Sequence, residues 1–556
     1  MESNTQSSPL ISSWSECFVR ERIRSLVPVG FKTEILELSK LSGPVIVAQL
    51  MVFAVSFVST VFCGHLGKTE LAAVSLAIAV INVTGISVGA GLASACDTLI
   101  SQTFGGNNLL RVGVIIQRAI LILLLACFPC WAILVNTEPI LLAVRQEPEV
   151  ASLSQMYVNI FMPALPATFM YSLQTRYLQN QGIIWPQVIT GVLVNVLNTL
   201  INYILLYVLN LGVAGSAVAN TISQFSMAAV LHSYIMWKGL HKATWGGWSK
   251  ECLQDWGSYF NLAIPSMVMM CVEWWTYEIG GFLAGLVSEV ELGAQSVVYG
   301  LATIAYMFPS GFSIAGNVRV GNALGAGDIE QAKLSAKLTM FCAVSVSLCL
   351  SILIGSLKDH ISYVFTYDKE IMERVADVML LYAPFIFVEA ISTASGGIIR
   401  GVGKQRIGAI CNILGYYGVG FPIGVPLMFA AKMGIKGLWT GLFICVVLQS
   451  SVFIFYLVRL DWRTAKVEAQ IRAGVYESIT DTSPQPDDSD DPGNSPGQKD
   501  TTDLAHTEAE PSAQTVVKFP YRTVVLRRGL TLAVMLLILA AGIILNLLLT
   551  NLFKCP

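Results

Sequence analysis

Residues 41–64, LSGPVIVAQLMVFAVSFVSTVFCG, and residues 262–285, LAIPSMVMMCVEWWTYEIGGFLAG, decide the fold. Each is an apolar run long enough to cross a bilayer, which takes about 20 residues in a helix. They are also versions of one another: at an offset of 221, Pro44 falls on Pro265 and Gly64 on Gly285. The correspondence continues with Glu70 on Glu291, Leu71 on Leu292 and Ser75 on Ser296. At 220, Gly91 falls on Gly311, Ala95 on Ala315 and Gly105 on Gly325, with Asp97 opposite Asn317 and Gln102 opposite Asn322. Pro163 then meets Pro384 and Gly182 meets Gly403 at 221, and Gly212 meets Gly434 and Gly215 meets Gly437 at 222. Ordered matches at one spacing mean a duplicated unit.

The composition says how large that unit is. Of 556 residues, 54% are hydrophobic and only 13% charged, too little charge to clothe several soluble domains. Apolar runs of spanning length lie near 41–63, 71–101, 113–135, 151–173, 186–208, 213–236, 258–285, 291–317, 335–356, 374–399, 407–430, 435–458 and 530–552. The expected fold is an all-α polytopic membrane protein of two six-helix bundles plus a thirteenth transmembrane helix. Six spans per repeat is an even number, so the bundles share one orientation, related by a pseudo-two-fold axis along the membrane normal. That is a design for alternating access, with a path formed within one chain.

The expected organisation is a cytoplasmic N-terminal segment (1–40), a first lobe (41–236), a linker (237–257), a second lobe (258–458), a cytoplasmic and largely disordered linker (459–528) and the last helix (529–552). No signal-peptide core is expected before the first span, because Arg20, Arg22, Arg24, Lys32 and Lys40 fill a polar stretch. With the N-terminus cytoplasmic, 26 of the 34 Lys and Arg fall on the cytoplasmic side, as the positive-inside rule wants, and the C-terminus is extracellular. Residues 474–517, which include SPQPDDSDDPGNSPGQKD, have almost nothing apolar to bury.

Ionisable residues at depth are few, and each costs several kcal/mol unless paired, protonated or facing water. Glu273 and Glu278 stand in mid-span seven and Glu389 in mid-span ten, without a basic residue at similar depth. A carboxyl so placed is costly as an anion, which makes its protonated form accessible. Glu273 shares a helical face with Tyr277, Trp274 shares one with Glu278, and Tyr299 and Tyr306 align on span eight. Acids beside aromatic rings suit an organic cation, each ring adding about 0.5 to 2 kcal/mol. The rings read equally as interface anchors. In the first lobe Gln49 and Asn82 are the candidate cavity groups, though such amides also bond across helices, as Asn195, Asn198 and Asn202 do on that reading. Pro44 and Pro265, opening spans one and seven, are the candidates for helix bending. Asp97 and Glu291 read as solvated or capping residues at span ends. Arg400, Lys404 and Arg406 read as a short cytoplasmic connection.

The energy source follows by exclusion. Gly401-Val-Gly-Lys404-Gln405 lacks the spacing and the Ser or Thr of a P-loop, so coupling to an ion gradient is expected, H⁺ ahead of Na⁺. The balance of 34 basic against 36 acidic residues offers no basic field for nucleic acid, and no metal site is expected. A lipid-precursor flippase would want a basic cavity. An intramembrane enzyme would want histidines at depth, and His65, His232, His241, His360 and His506 lie elsewhere. A channel fits poorly with a two-lobe repeat.

The 6+6 repeat over residues 40–458, the run RVGNALGAGD at 319–328, the run EWWTYE at 273–278 and the proline-marked first spans resemble the multidrug and toxin extrusion (MATE) family. The thirteenth span and Asp-rich linker resemble its vertebrate members. The resemblance implies proton-coupled efflux of small organic cations, without a cofactor, by a monomer in the apical plasma membrane of epithelia. It implies Glu273, Glu278 and Glu389 as the acidic positions and Trp274, Tyr277, Tyr299 and Tyr306 as cavity rings. Where some relatives carry a further acid after the span-eight tyrosine, this chain has Gly300.

Overall fold

The computed structural model describes residues 30–64, 66–364, 367–475 and 520–554, and among these all regular structure is helical. Among the described residues, ten helices are long and apolar enough to cross a membrane. The other three expected spans are helices too, but more polar: Pro148–Phe161 continued by Leu165–Gln179, Gly212–Trp237, and Trp256–Val287. Of the linker read as largely disordered, 459–528, residues 476–519 lie outside the described residues, whereas its first part carries the helix Trp462–Ala473 and its end belongs to the helix Tyr521–Lys554.

Each lobe has its own apolar core, and spans one and seven belong to both. The first turns of span seven bury Trp256, Tyr259, Leu262 and Ala263 in the core of the first lobe, while Val272 and Ala284 lie in the core of the second. Span one crosses in the opposite sense: Leu38 packs with Ala315 and Leu338 of the second lobe, whereas Val55 and Cys63 belong to the first. The two crossovers stitch the lobes together at one end of the bundle.

Glycines set how close the lobes come there. A β-carbon on Gly91 of span two would strike Met267 of span seven, and one on Gly311 of span eight would strike Ile46 of span one. Gly105 packs on Asn322 and Gly325 on Gln102 in the same manner. These are the residues that the repeat paired, and they meet as symmetry mates, with small residues letting backbones touch as in other membrane bundles.

Several expectations are corrected. Span one is one helix from Phe31 to Gly64, because residues 31–40 are amphipathic and bury Glu34, only 3% exposed, against the second lobe. Pro44 and Pro265 therefore lie inside helices that begin at Phe31 and Trp256, where each removes one backbone bond rather than opening a span. The run at 319–328 is the last turns of span eight, Glu289–Gly325, then a tight turn at Gly327 with φ of 81°. Asp97 is buried and ion-paired with Arg176, and Glu291 pairs with Arg374 at 2.6 Å while accepting from the Ile435 amide at 2.6 Å. Neither is solvated, since both tie helices of one lobe together.

Helices also depart from α geometry where the sequence demands it. Pro163 and Pro166 break span four with a 3₁₀ turn, Met162–Ala164. Span two carries a π turn, Asn82–Ile86, that releases the carbonyl of Val83. That oxygen accepts from the Ser87 hydroxyl at 2.7 Å and, across the lobe boundary, from the Trp275 indole at 2.9 Å.

The thirteenth helix, Tyr521–Lys554, lies on span three, away from both lobes' centres. Gly542 abuts Ala132, Asn136 donates to the Gly542 carbonyl at 3.0 Å and Asn546 to that of Val135 at 2.8 Å. At its start Arg528 donates to the Leu253 carbonyl at 2.9 Å and lies 3.9 Å from the centre of the Trp256 ring. The helix thus ties the inter-lobe linker to span three.

Candidate functional site

A cavity opens inside the second lobe among spans seven, eight, ten, eleven and twelve. Glu273, Tyr306, Glu389, Arg400, Tyr416 and Gln449 contribute its polar groups. Its volume of about 30 Å³ leaves room for roughly two waters. Span ten supplies a continuous stripe: Glu389, Ser392, Thr393, Gly396 and Arg400 follow at i, i+3, i+4, i+7 and i+11, one face of an α-helix. Gly396 keeps the stripe open where a side chain would fill the space.

Glu389 is 7% exposed. Its Oε1 accepts from the Tyr277 hydroxyl at 3.1 Å, and its Oε2, buried, has no partner. Buried polar atoms are nearly always satisfied, so an orphaned carboxyl oxygen facing a cavity marks a place where a proton, water or cation is wanted. Around Tyr277 the rings gather: Tyr299 at 5.7 Å and Trp439 at 6.1 Å, with Tyr382 and Phe385 at 5.5 and 5.3 Å from Trp439. Trp439 is itself fixed by donating to Gln295 at 2.9 Å. The floor is polar and rigid: Asn412 donates to the Met269 carbonyl at 2.9 Å and accepts from Gln449.

The sequence-derived residues therefore divide. Glu273, Glu389 and Tyr306 share the cavity, and Tyr277 reaches it through Glu389. Glu278 is half-buried and lies outside the cavity lining, as does Trp274, which is 37% exposed. Tyr299 joins through its ring. In the first lobe, Gln49 donates to Ser310 at 3.2 Å across the lobe boundary, and Asn82 opens the π turn of span two. Neither lines the cavity of the second lobe. Sequence reasoning missed Arg400, Asn412 and Gln449. Arg400 was placed in a loop, but span ten runs to Val402. Its helical spacing from Glu389 was the available signal.

The end of the bundle nearest Arg400 is sealed. Thr98 of span two donates to the Arg400 carbonyl at 2.6 Å and Gln102 to that of Gly401 at 2.8 Å. The helix Trp462–Ala473, which follows span twelve, lies across this seam. From it Arg472 donates to Gln102 at 3.1 Å and to the Val402 carbonyl at 3.2 Å. Glu34 adds a second tie: it bonds Arg319, Gln331 and, at 2.6 Å, Ser335 of the second lobe. By contrast the Lys68–Ile81 segment at the opposite end of span two packs on spans one and four, inside its own lobe. Among the described residues, no group of three or more His, Cys, Asp or Glu is placed to hold a metal ion.

Two repeated lobes sealed at one end, with two carboxyls facing a cavity inside one of them, define a multi-pass membrane protein of the two-lobe transporter class. Comparison with known proteins agrees. The MatE family model matches the chain twice, over residues 44–204 and 265–425, so its two copies start 221 residues apart (265 − 44). Multidrug and toxin extrusion protein 1 of Danio rerio is 63% identical, over 95% of this chain and 92% of that protein. Multidrug and toxin extrusion protein 2 of Mus musculus is 57% identical, over 84% and 81%. The crystal structure of a eukaryotic MATE transporter superposes with a TM-score of 0.77 at 28% identity, covering 80% of this chain and all of that one. A MOP superfamily transporter from Pyrococcus furiosus shares the fold at a TM-score of 0.67 and 17% identity, covering 80% of this chain and 97% of that one. The chain belongs to the MatE family of multidrug and toxin extrusion transporters.

Proposed function

We propose that this chain exports small organic cations across the plasma membrane, apical in epithelia, in exchange for H⁺, by alternating access and as a monomer with no cofactor. The observation that carries the reading is Glu389, whose orphaned carboxyl oxygen faces a cavity shared with Glu273. The relatives' names supply the class of cargo, and the rings of Tyr277, Tyr299 and Tyr306 supply a surface for cations.

The distribution of Lys and Arg supports a cytoplasmic sealed end and N-terminus, with the C-terminus extracellular. The opposite end is then the one through which ions reach the cavity from outside. As it stands the cavity admits a proton with its water but no drug. Uptake of H⁺ by Glu389 or Glu273 from outside removes the negative charge that holds a cation, and the cation leaves. The seam at Gln102 and Arg400 then parts, the protonated lobe faces inward, and the proton is exchanged for the next cation. One H⁺ for one monovalent cation moves no net charge, so each pH unit supplies about 1.4 kcal/mol.

Uptake of labelled tetraethylammonium into proteoliposomes under an imposed pH gradient, at zero potential, tests this. Accumulation that follows the gradient and ignores Na⁺ is expected, and Glu273→Gln should abolish it. Accumulation that requires Na⁺ would keep the architecture and replace the coupling ion. None under either gradient would turn the reading toward a flippase.

A further inference from the structure

The two lobes treat their arginines differently. In the first lobe Arg176, near the end of span four, is neutralised by Asp97, which also takes a bond from Asn180. The repeat mate of Asp97 is Asn317, which carries no charge. Arg176 itself falls on Gly397 at the offset of 221, and Arg400 stands three residues further along span ten, about one turn beyond that position. Its guanidinium donates to Ser313 at 3.2 Å, makes no ion pair among the described residues, and faces the cavity that holds Glu273 and Glu389. Helical side chains lean toward the helix N-terminus, which on span ten is the direction of Glu389. The backbone of the same residue is held to the opposite lobe, because Thr98 and Gln102 bond the carbonyls of Arg400 and Gly401. A half-buried guanidinium without an ion pair is costly, and Glu273 and Glu389 are the carboxyls that line the same cavity.

Resting on the organic cation reading above, we propose that Arg400 is the resident counter-cation of the Glu273–Glu389 cavity: it offsets the carboxylates while the site is empty and is displaced electrostatically by the substrate cation or the proton. A built-in positive charge keeps both exchangeable ions from binding too tightly to leave. Because the same residue anchors the sealed end, the charge in the cavity and the grip of the seam act on one helix terminus. Arg400 is thus a positioning residue, acting on substrate through the two acids. The titratable and charged groups facing those acids are Tyr299 and Tyr306 on span eight, Tyr277 on span seven, Tyr382 and Arg400 on span ten, and Tyr416 on span eleven. Span twelve contributes Gln449, which does not titrate.

The full-length protein in proteoliposomes is the test. Arg400→Gln should lower KM for tetraethylammonium by about tenfold, the order expected for loss of one partly buried unit charge. It should also lower kcat and move the midpoint of the pH profile upward, and Arg400→Lys should restore both. Ser313→Ala frees the guanidinium to approach the acids and should raise KM, which keeps the test available if Arg400→Gln fails to fold. A second readout needs no substrate: the midpoint of the protonated carboxyl infrared band should rise in Arg400→Gln. An unchanged KM, unchanged pH midpoint and unmoved infrared band would overturn the proposal. A wild type that fails to accumulate tetraethylammonium would overturn the functional reading instead, with the infrared titration still deciding the role of Arg400.

Discussion

The backbone carbonyl of Gln102 on span two occupies the place that a β-carbon on Gly325 of span eight would need. The repeat supplies the mirror of this contact, Asn322 against Gly105. Two backbones in direct contact, related by the pseudo-two-fold axis, form the tightest part of the sealed end. A seam built from glycine closes fully, and it opens without pulling interlocked side chains apart.

Gly325→Val should therefore hold the seam ajar. Overpacking of this kind costs about 1–3 kcal/mol. Transport should fall severely, while a cysteine placed near Gly401 becomes reactive toward a membrane-impermeant thiol reagent added from the side of the sealed end. Unchanged transport and labelling would show that the seam is not a gate.

Glu389 and Tyr277 separate charge from positioning. Glu389→Gln keeps the shape and removes the titration, so coupled transport should be lost. Tyr277→Phe removes only the 3.1 Å bond to Glu389, and a hydrogen bond to a charged acceptor is worth about 1.5–3 kcal/mol. Transport should drop by about tenfold or more with the ring stacking on Tyr299 kept. Equal losses in both variants would mean that Tyr277 does more than orient the acid.

Glu34, buried, and Arg319, partly exposed, form an inter-lobe pair at the sealed end. Removing one partner of such a pair strands a charge and costs roughly 3–5 kcal/mol, whereas replacing both by apolar residues is far milder. Arg319→Met alone should lower Tm markedly, and Glu34→Leu with Arg319→Met should recover most of the loss. Additive losses would place the stability in other contacts of Glu34, with Gln331 and Ser335.

The thirteenth helix is held by Gly542 against Ala132 and by two asparagine amides, Asn136 and Asn546. Cysteines at positions 132 and 542 should cross-link in the membrane, and Asn546→Leu should reduce the yield. A chain ending before Tyr521 should still transport cations, since the helix lies away from the cavity, but with a lower Tm because Arg528 no longer ties the linker at Leu253 and Trp256.

The spans and the duplication were determined by the sequence alone. A bilayer forces every backbone polar group into helical bonding, so each crossing must be an apolar run of fixed length. The repeat was legible because close helix contacts tolerate only glycine, leaving marks such as Gly91 and Gly311 at one offset. Glu273 and Glu389 stood out for the same reason, charge where charge is costly. What only the tertiary structure decided is how each helix is rotated about its own axis. That rotation is set by packing against neighbours, which no single span encodes. It put Glu278 and Trp274 outside the cavity and buried Asp97 in an ion pair. It also put Arg400, a residue that reads as an ordinary span-end charge, in the lining of the cavity that holds the two acids.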